Sequence, residues 1–390
     1  MLLELDDKSR YSGRVELILG PMFSGKTTEM LRRLKRHQLA NCSCRIVKYL
    51  KDTRFSNDQV STHDRQMQEA IGATQIRDVM DKILDADVIA IDEGQFFNDI
   101  AESCEDLANM GKVVIVSALD GDYNRKRFKT ILALCPMAEE VCKLNSVCTR
   151  CGADAPFSKR LTSNTEQEVI GGSEMYTALC RSCYLSTFEC QSPPKCLKIA
   201  RIELILGPVF SGKTSELLRR QNRHALAGRI CKLIHYKKKA VDENHLIPLL
   251  SHSSQSITAE TVSDVMDCLR DCQVVAIDDA QFFADVVTCA ERLANMDKIV
   301  IVASLDGDFN RKEFNNEVLE LYPLAEEITK LHAVCTECGV DASFSSSSTT
   351  DQASLLDRAY KAVCRKCYTA TASHSICDSV SRMPLKNVNS

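Results

Sequence analysis

One stretch of the sequence combines the residue types that bind phosphate. Residues 20–27, Gly-Pro-Met-Phe-Ser-Gly-Lys-Thr, fit the spacing G-x-x-x-x-G-K-[ST], in which glycines allow a tight backbone path. Backbone N–H groups and a helix N-terminus face the phosphates in such a loop, and Lys26 adds a positive charge. Thr27 offers a hydroxyl to Mg²⁺, and Asp92, after an apolar run, is the expected carboxylate partner of that ion. The pattern predicts a magnesium–nucleotide site.

Eight of the 20 cysteines occur as four Cys-x-x-Cys pairs. They form two sets of four, namely Cys148, Cys151, Cys180 and Cys183, and Cys335, Cys338, Cys364 and Cys367. Four thiolates at these spacings suit tetrahedral Zn²⁺, and a site closed by four protein ligands is structural because no position remains for water. We interpret the other cysteines as small buried apolar residues.

Both kinds of site occur twice because the chain contains two copies of one pattern. Residues 15–27 recur as 202–214, and residues 88–97 recur as 274–283. The period is far longer than a solenoid repeat, so each copy is expected to fold as a unit. We interpret the chain as a tandem duplication with its seam near the paired prolines of residues 191–195. The linker is short, so the copies are expected to pack together.

The chemistry-bearing residues follow apolar runs that read as buried strands. The runs at 15–19, 88–91 and 113–116 are continuous and lie between helical stretches, which indicates a parallel sheet covered on both faces. The predicted fold class is α/β, with two tandem P-loop domains, each followed by a small zinc-binding domain. The predicted segments are a first P-loop domain 1–140, its zinc domain 141–190, a linker 191–200, a second P-loop domain 201–328, its zinc domain 329–377 and a tail 378–390.

Composition narrows the class of protein. The chain is 44% hydrophobic and 26% charged, which excludes collagen-like, disordered and coiled-coil proteins. Its 49 Lys and Arg against 53 Asp and Glu give a net charge of −4, so no overall field attracts nucleic acid or anionic lipid. No apolar run reaches the roughly 18 residues of a membrane span, and the N-terminus lacks the features of a signal peptide. We therefore expect a cytoplasmic protein without nucleic-acid or membrane partners.

Further motifs in the first copy suggest what the nucleotide site acts on. They are Lys51-Asp-Thr-Arg54, Thr62-His-Asp-Arg65, Asp92-Glu-Gly-Gln-Phe-Phe97 and Val169-Ile-Gly-Gly172. With the phosphate loop and the cysteine pairs, they resemble the type II, cellular-type thymidine kinases over nearly the whole first copy. The resemblance implies transfer of the ATP γ-phosphoryl group to the 5′-hydroxyl of thymidine. It also implies a RecA-like P-loop domain and a lasso, a loop between the halves of the zinc site that holds the thymine base.

The resemblance implies roles for individual residues. The catalytic residues would be Glu93, Lys26 and Arg54, with Glu93 accepting the 5′-hydroxyl proton. Chemistry favours that role independently, because phosphoryl transfer needs a proton acceptor beside the magnesium carboxylate. Residues implied to line the ATP and magnesium site are Gly20, Pro21, Met22, Phe23, Ser24, Gly25, Lys26, Thr27, Asp52, Thr53, Arg54, Asp92, Glu93, Gly94 and Gln95. Residues implied to contact thymidine are Met22, Phe96, Leu119, Tyr123, Phe128, Gln167, Glu168, Val169, Ile170, Gly171 and Tyr176.

One substrate position departs from the resembling family. Tyr123 stands where the family usually has phenylalanine. The additional hydroxyl must be accommodated, so we expect it to change how bulky analogues bind.

The second copy lacks several of these groups. It keeps the phosphate-loop lysine, the magnesium aspartate and all four cysteines, but Lys239 replaces the carboxylate of Asp52. Val241 replaces the guanidinium of Arg54, and the predicted base is shortened to Asp279. A displacement of about 1 Å can cost roughly 100-fold in rate. The lasso glycines are also absent, so we interpret this copy as a degenerate kinase domain with a structural or regulatory role.

Two alternatives remain at the level of sequence. A deoxynucleoside kinase that also accepts deoxyuridine or deoxycytidine would carry the same motifs. An ATP-binding module of the RecA type, with its zinc sites binding nucleic acid, would share the phosphate loop. Neither zinc loop, however, combines clustered Lys and Arg with exposed aromatic residues.

Because the resembling kinases are oligomers, a tandem chain would supply a covalent pseudo-dimer. Two chains would then form a pseudo-tetramer.

Overall fold

The structure is a computed structural model that describes residues 13–50, 59–61, 67–162, 171–186, 200–237, 254–314, 318–347 and 360–370. We call residues 13–186 copy 1 and residues 200–370 copy 2. The strands of copy 1 are β1 (Arg14–Leu19), β2 (Cys44–Tyr49), β3 (Gln59–Ser61), β4 (Met67–Glu69), β5 (Ile71–Ala73), β6 (Val88–Ile91), β7 (Val113–Ala118), β8 (Glu140–Lys143), β9 (Ser146–Val147), β10 (Asp154–Ala155), β11 (Phe157–Arg160) and β12 (Tyr176–Leu179). Those of copy 2 are β13 (Arg201–Leu206), β14 (Cys231–Tyr236), β15 (Ser254–Ala259), β16 (Val274–Ile277), β17 (Ile299–Ser304), β18 (Glu327–Lys330), β19 (Ala333–Val334), β20 (Asp341–Ala342), β21 (Phe344–Ser347) and β22 (Tyr360–Val363).

Helices connect these strands. The α-helices are α1 (Lys26–Leu39), α2 (Met80–Ile83), α3 (Ile100–Asn109), α4 (Lys129–Leu134), α5 (Arg181–Leu185), α6 (Lys213–Leu226) and α7 (Val286–Asn295). Short 3₁₀ helices occupy Ile76–Val79, Gly94–Phe96, Cys135–Met137, Ser263–Leu269, Ala280–Phe282 and Val318–Leu324. Among the described residues, no helix is both long and apolar enough to cross a membrane.

A twelve-stranded sheet runs through both copies in the order β15-β14-β16-β17-β13-β18-β8-β1-β7-β6-β2-β5. Neighbouring strands within each copy are parallel, which confirms the predicted α/β fold. The copies join where β18 and β8 pair antiparallel, with Thr329 opposite Cys142. The sequence did not predict this continuity, because an apolar pattern identifies buried strands without naming the partner at a sheet edge.

Helices cover both faces of the sheet, so most positions of β1, β6 and β7 are buried and apolar. Along β1, Leu17 and Leu19 belong to one buried cluster, whereas Ile18 packs with Met30 and Leu34 of α1 on the opposite face. This alternation follows from the two-residue period of a strand. Full burial of such a side chain is worth about 1.5–3 kcal/mol. The first cluster continues into β13 and α7 of copy 2, so the two copies share one core.

Matched ion pairs reinforce the contact between the copies. Arg181 in α5 pairs with Glu326 of copy 2 at 2.7 Å, and Arg365 of copy 2 pairs with Glu139 of copy 1 at 2.6 Å. Both arginine side chains are 4% exposed. Because Arg181 and Arg365 each follow the third cysteine of their set, the pairs are related by a pseudo-twofold axis. The copies therefore pack as the short linker predicts.

Candidate active site

The phosphate loop links β1 to α1 in the conformation that its sequence predicts. Gly25 is the residue before α1 and has φ of 82°, a left-handed conformation that favours glycine. A Cβ atom on Gly20 would lie 2.4 Å from the carbonyl oxygen of Leu144, so a side chain there would clash with backbone. Lys26 Nζ donates a hydrogen bond to the Pro21 carbonyl at 2.8 Å, which holds the amine over the loop.

The predicted magnesium ligands meet at the carboxyl edge of the sheet. Thr27 Oγ1 donates to both carboxylate oxygens of Asp92 at 3.2 Å, and Asp92 is 8% exposed. Ser117 Oγ, at the end of β7, also donates to this carboxylate. A hydroxyl beside a carboxylate suits Mg²⁺, which prefers oxygen ligands. Sequence reasoning missed Ser117, although a hydroxyl within an otherwise apolar strand was a usable signal.

The carboxylate of Glu93 is held beside this pair. Glu93 has φ of 55°, in the left-handed region that non-glycine residues rarely adopt. Gln95 Nε2 donates to Glu93 Oε2 at 2.6 Å, and Gln95 Oε1 accepts a hydrogen bond from the Leu119 N–H at 3.0 Å. The glutamine therefore fixes the carboxylate to the end of β7. Backbone strain of this kind costs about 1–3 kcal/mol and concentrates at functional sites.

Two predicted substrate residues share a partner that the sequence did not identify. The Arg160 guanidinium lies 3.9 Å from the centre of the Tyr123 ring and 5.2 Å from that of the Tyr176 ring. It also donates to the Tyr176 hydroxyl at 2.6 Å. Arg160 is 7% exposed and ends β11, which pairs with β12 at the base of the lasso. Nothing in the local spacing marks Arg160, because its partners come from distant segments.

Other predicted substrate residues have separate contacts. The Met22 N–H donates to Ser158 Oγ of β11 at 2.9 Å, so β11 contacts the phosphate loop directly. The rings of Phe96 and Tyr49 have centres 5.1 Å apart. Phe128 is buried in the core cluster against which the half-buried Leu119 packs.

Several predicted residues lie outside the described part of the chain. They are Asp52, Thr53, Arg54, Gln167, Glu168, Val169 and Ile170. Gly171 is described, and a Cβ atom there would lie 2.3 Å from Met175 Sδ. A side chain at this position would therefore require Met175 to move.

Each set of four cysteines converges into one cluster. Within each set the ligand atoms lie within 4.8 Å of one another. Cys151 Sγ and Cys180 Sγ are 3.6 Å apart, as are Cys338 Sγ and Cys364 Sγ. Sulfur atoms bound tetrahedrally at 2.3 Å would be about 3.8 Å apart, so both clusters fit a Zn²⁺ ion.

The protein environment favours thiolate at one cysteine of each cluster. Burial acts against ionisation, but backbone N–H groups of Cys180, Arg150 and Cys151 lower the pKa of Cys148 to about 7. The same arrangement lowers the pKa of Cys335 to about 6. Burial raises the pKa of Cys183 well above its ordinary value. Metal binding requires thiolates, so the clusters need a cation to neutralise them fully.

Copy 2 repeats the hydrogen bonds of the phosphate loop, but it lacks the arginine that contacts Tyr123 and Tyr176 in copy 1. Thr214 Oγ1 lies 3.1 and 3.0 Å from the Asp278 oxygens, and Lys213 Nζ donates to a loop carbonyl at 2.6 Å. Gln281 holds the shorter Asp279 at 3.1 Å. The position of Arg160, however, is occupied by Ser347, the last residue of β21.

Comparison with known proteins agrees with this geometry. A family model described as "Thymidine kinase" matches residues 13–184 and again 200–368. The chain is 54% identical to "Thymidine kinase" of sheeppox virus (strain KS-1) over 172 residues, which are 44% of this chain and 97% of that protein. It is 54% identical to "Thymidine kinase, cytosolic" of Gallus gallus over 175 residues, which are 45% of this chain and 78% of that protein. Vaccinia virus (strain Western Reserve) "Thymidine kinase" is 51% identical over 175 residues, which are 45% of this chain and 98% of that protein. The chain therefore belongs to the thymidine kinase family and contains the family's unit twice.

Proposed function

We propose that copy 1 transfers the γ-phosphoryl group of ATP to the 5′-hydroxyl of thymidine, a step of deoxynucleoside salvage. Family membership supports the reaction. Arg160, for which copy 2 has Ser347, supports the choice of copy, and Glu93 is the proposed base. Its carboxylate is held by Gln95 next to the Thr27–Asp92 pair, where an acceptor hydroxyl must meet the phosphoryl group.

Each group has one task in this proposal. Glu93 removes the proton of the 5′-hydroxyl as its oxygen bonds to the γ-phosphorus, and ADP leaves with the electrons of the broken bond. The loop amides and Lys26 neutralise the phosphates, and Arg54 covers charge that develops on the transferred group. Bound at Thr27 and Asp92, Mg²⁺ would offset the charge on the β- and γ-phosphate oxygens.

The zinc domain has a positioning role in the proposal. Structural Zn²⁺ at each cysteine cluster would fix the strands from which the lasso extends. In copy 1 these strands carry Ser158, which binds the phosphate loop, and Arg160, which holds Tyr123 and Tyr176. Zinc binding therefore supports the thymidine pocket mechanically, and copy 2 keeps the metal site without the arginine.

The reaction is tested by incubating purified full-length protein with Mg·ATP and thymidine. Thymidine monophosphate and ADP should form in equal amounts, and deoxyuridine and deoxycytidine in the same assay measure how broad the base preference is. In parallel, thymidine should raise the unfolding temperature, whereas single-stranded DNA should not. Absence of thymidine monophosphate, together with stabilisation by DNA, would contradict the proposal and favour the nucleic-acid module.

Arg160 provides a test of the substrate pocket. Replacing it with glutamine should raise the KM for thymidine by about 3- to 30-fold, because a buried cation–π contact is worth about 0.5–2 kcal/mol. The KM for ATP should change little, since the phosphate loop is untouched. Ser347→Ala, at the matching position of copy 2, is the control and should change neither constant. An unchanged thymidine KM in Arg160→Gln would exclude this role.

The remaining assignments are proposals of the same kind. The segment boundaries at residues 140, 190, 200, 328 and 377 stay predictions that limited proteolysis can test. A cytoplasmic location is supported by the name of the Gallus gallus relative.

We also propose that two chains associate as a pseudo-tetramer. Sedimentation equilibrium should then give twice the chain mass of 43.5 kDa, and a monomeric mass would exclude the association.

A further inference from the structure

Most ion pairs between the copies occur twice, related by the pseudo-twofold axis. Arg125 pairs with Glu291 of copy 2 at 2.6 Å, and Arg311 of copy 2 pairs with Glu105 of copy 1 at 2.5 Å. Arg125 and Arg311 occupy matching positions, as do Glu105 and Glu291. Each such pair would also form if two identical copies met, because an isologous contact needs only the same residues on both sides. These contacts therefore do not distinguish one copy from the other.

The ion pairs of Arg127 break this symmetry. Arg127 and Glu313 occupy the same position of the two copies, one residue before Phe128 and Phe314, and they pair with each other across the interface. Arg127 also pairs with Glu320 of copy 2 at 2.6 Å. A residue that faces its own counterpart lies at the symmetry axis. The charge at the axis therefore depends on which two copies meet.

Three pairings can be compared at this position. Copy 1 has Ala133 where copy 2 has Glu320. Two copies of the first kind would bring two arginines together without a carboxylate from these positions, whereas two of the second kind would bring four carboxylates together without a cation. Only the mixed pair places Arg127 against Glu313 and Glu320. Like charges at a contact cost free energy, so the groups discriminate among partners.

Partial burial makes the discrimination effective. The side chain of Arg127 is 13% exposed, and those of Glu313 and Glu320 are 29% and 26% exposed. Solvent screens such charges less than it screens those of exposed pairs, whose contribution is small. Placing two like charges here would therefore be costly, and the mixed pair avoids that cost.

We propose that Arg127, Glu313 and Glu320 make this interface selective for copy 1 against copy 2. The partner that the surface fits is the second copy of the same chain, rather than a first copy from another chain. Copy 2 is then a dedicated partner that covers this face of copy 1, whatever nucleotide chemistry it retains. The inference does not depend on the proposed reaction, because it concerns pairing alone.

Exchanging residues between the copies tests the proposal in the full chain. R127E/A133E gives copy 1 the residues of copy 2, so every charge at the axis is acidic. E313R/E320A gives copy 2 the residues of copy 1, so the two charges that remain at the axis are both basic. Ala133 is exposed, so the new side chain there does not enter the core. We expect each variant to unfold at least about 2–4 °C below wild type, the shift that corresponds to roughly 1 kcal/mol in domains of this size.

The variant that carries all four substitutions separates charge pairing from simple damage. It restores one arginine and two glutamates at the axis on opposite sides, so its unfolding temperature should return close to that of wild type. Failure of this recovery would overturn the proposal, as would unchanged unfolding temperatures in both two-residue variants. R270D/D267R, which reverses an exposed pair within copy 2, is the control and should behave as wild type.

A second measurement reads the pairing directly. A protease site inserted between residues 186 and 200 allows the folded chain to be cut, and native mass spectrometry then reports which halves remain together. Wild type and the four-residue exchange should retain one copy 1 with one copy 2. Each two-residue variant should weaken this association at least about tenfold, as expected for close charge pairs. Pairs of identical halves in cut wild type would contradict the selectivity.

Discussion

Replacing Glu93 with glutamine is expected to lower the rate of thymidine phosphorylation by about 10²–10⁴-fold, the usual contribution of a general base. The amide keeps the size of the side chain and one acceptor oxygen but cannot accept the proton of the 5′-hydroxyl. Because Gln95 Nε2 donates to the Glu93 oxygen, the new amide oxygen can still accept this bond and the loop should keep its conformation. We therefore expect kcat to fall while the KM for ATP and the unfolding temperature stay nearly constant.

The second copy supplies the matched control. Asp279→Asn makes the same chemical change in copy 2, at a residue with the same left-handed backbone and the same glutamine contact. It should leave the rate unchanged. Lys26→Ala and Lys213→Ala repeat the comparison at the phosphate loops, and only the first should abolish turnover. Loss of activity in the copy 2 variants alone would mean that the active copy has been assigned wrongly.

The parts of this site that the sequence predicts are those encoded by local spacing. The residues of the phosphate loop are contiguous, and a cysteine pair brings two ligands together within four residues. Asp92 could be assigned because the carboxyl ends of parallel strands share one edge of the sheet. The fold class followed for a similar reason, since continuous apolar strands between helices leave few arrangements other than a covered parallel sheet.

What the sequence did not predict depends on contacts between distant segments. Arg160 could be identified as a site residue only from the structure, in which β11 and β12 place it against Tyr123 and Tyr176. The pairing of β8 with β18 also could not be deduced, because the edge strands carry no pattern that names a partner. Alignment of the two copies shows that Arg127 of copy 1 corresponds to Glu313 of copy 2. The sequence does not show that these two positions face each other, so the ion pair could not be predicted.

The proposed zinc site of copy 1 carries the second large expected effect. Cys180→Ser should reduce bound zinc from two ions per chain to one and lower thymidine phosphorylation by at least about 100-fold. The effect on rate follows because Cys180 directly follows β12, which pairs with the strand that carries Ser158 and Arg160. Without the metal these side chains would no longer be held against the phosphate loop and Tyr123, and misplacement by about 1 Å is enough for such a loss.

Cys364→Ser is the matched change in copy 2 and separates metal loss from pocket loss. It should remove the other zinc ion and lower the unfolding temperature, because Arg365, the next residue, is buried against Glu105 and Glu139 of copy 1. Its KM for thymidine should remain that of wild type, since the contacts of Arg160 with Tyr123 and Tyr176 lie within copy 1. Metal analysis, thermal unfolding and steady-state kinetics on both variants check these expectations. Equal loss of thymidine binding in the two variants would show that zinc acts through the shared core instead of through the contacts of Ser158 and Arg160 on β11.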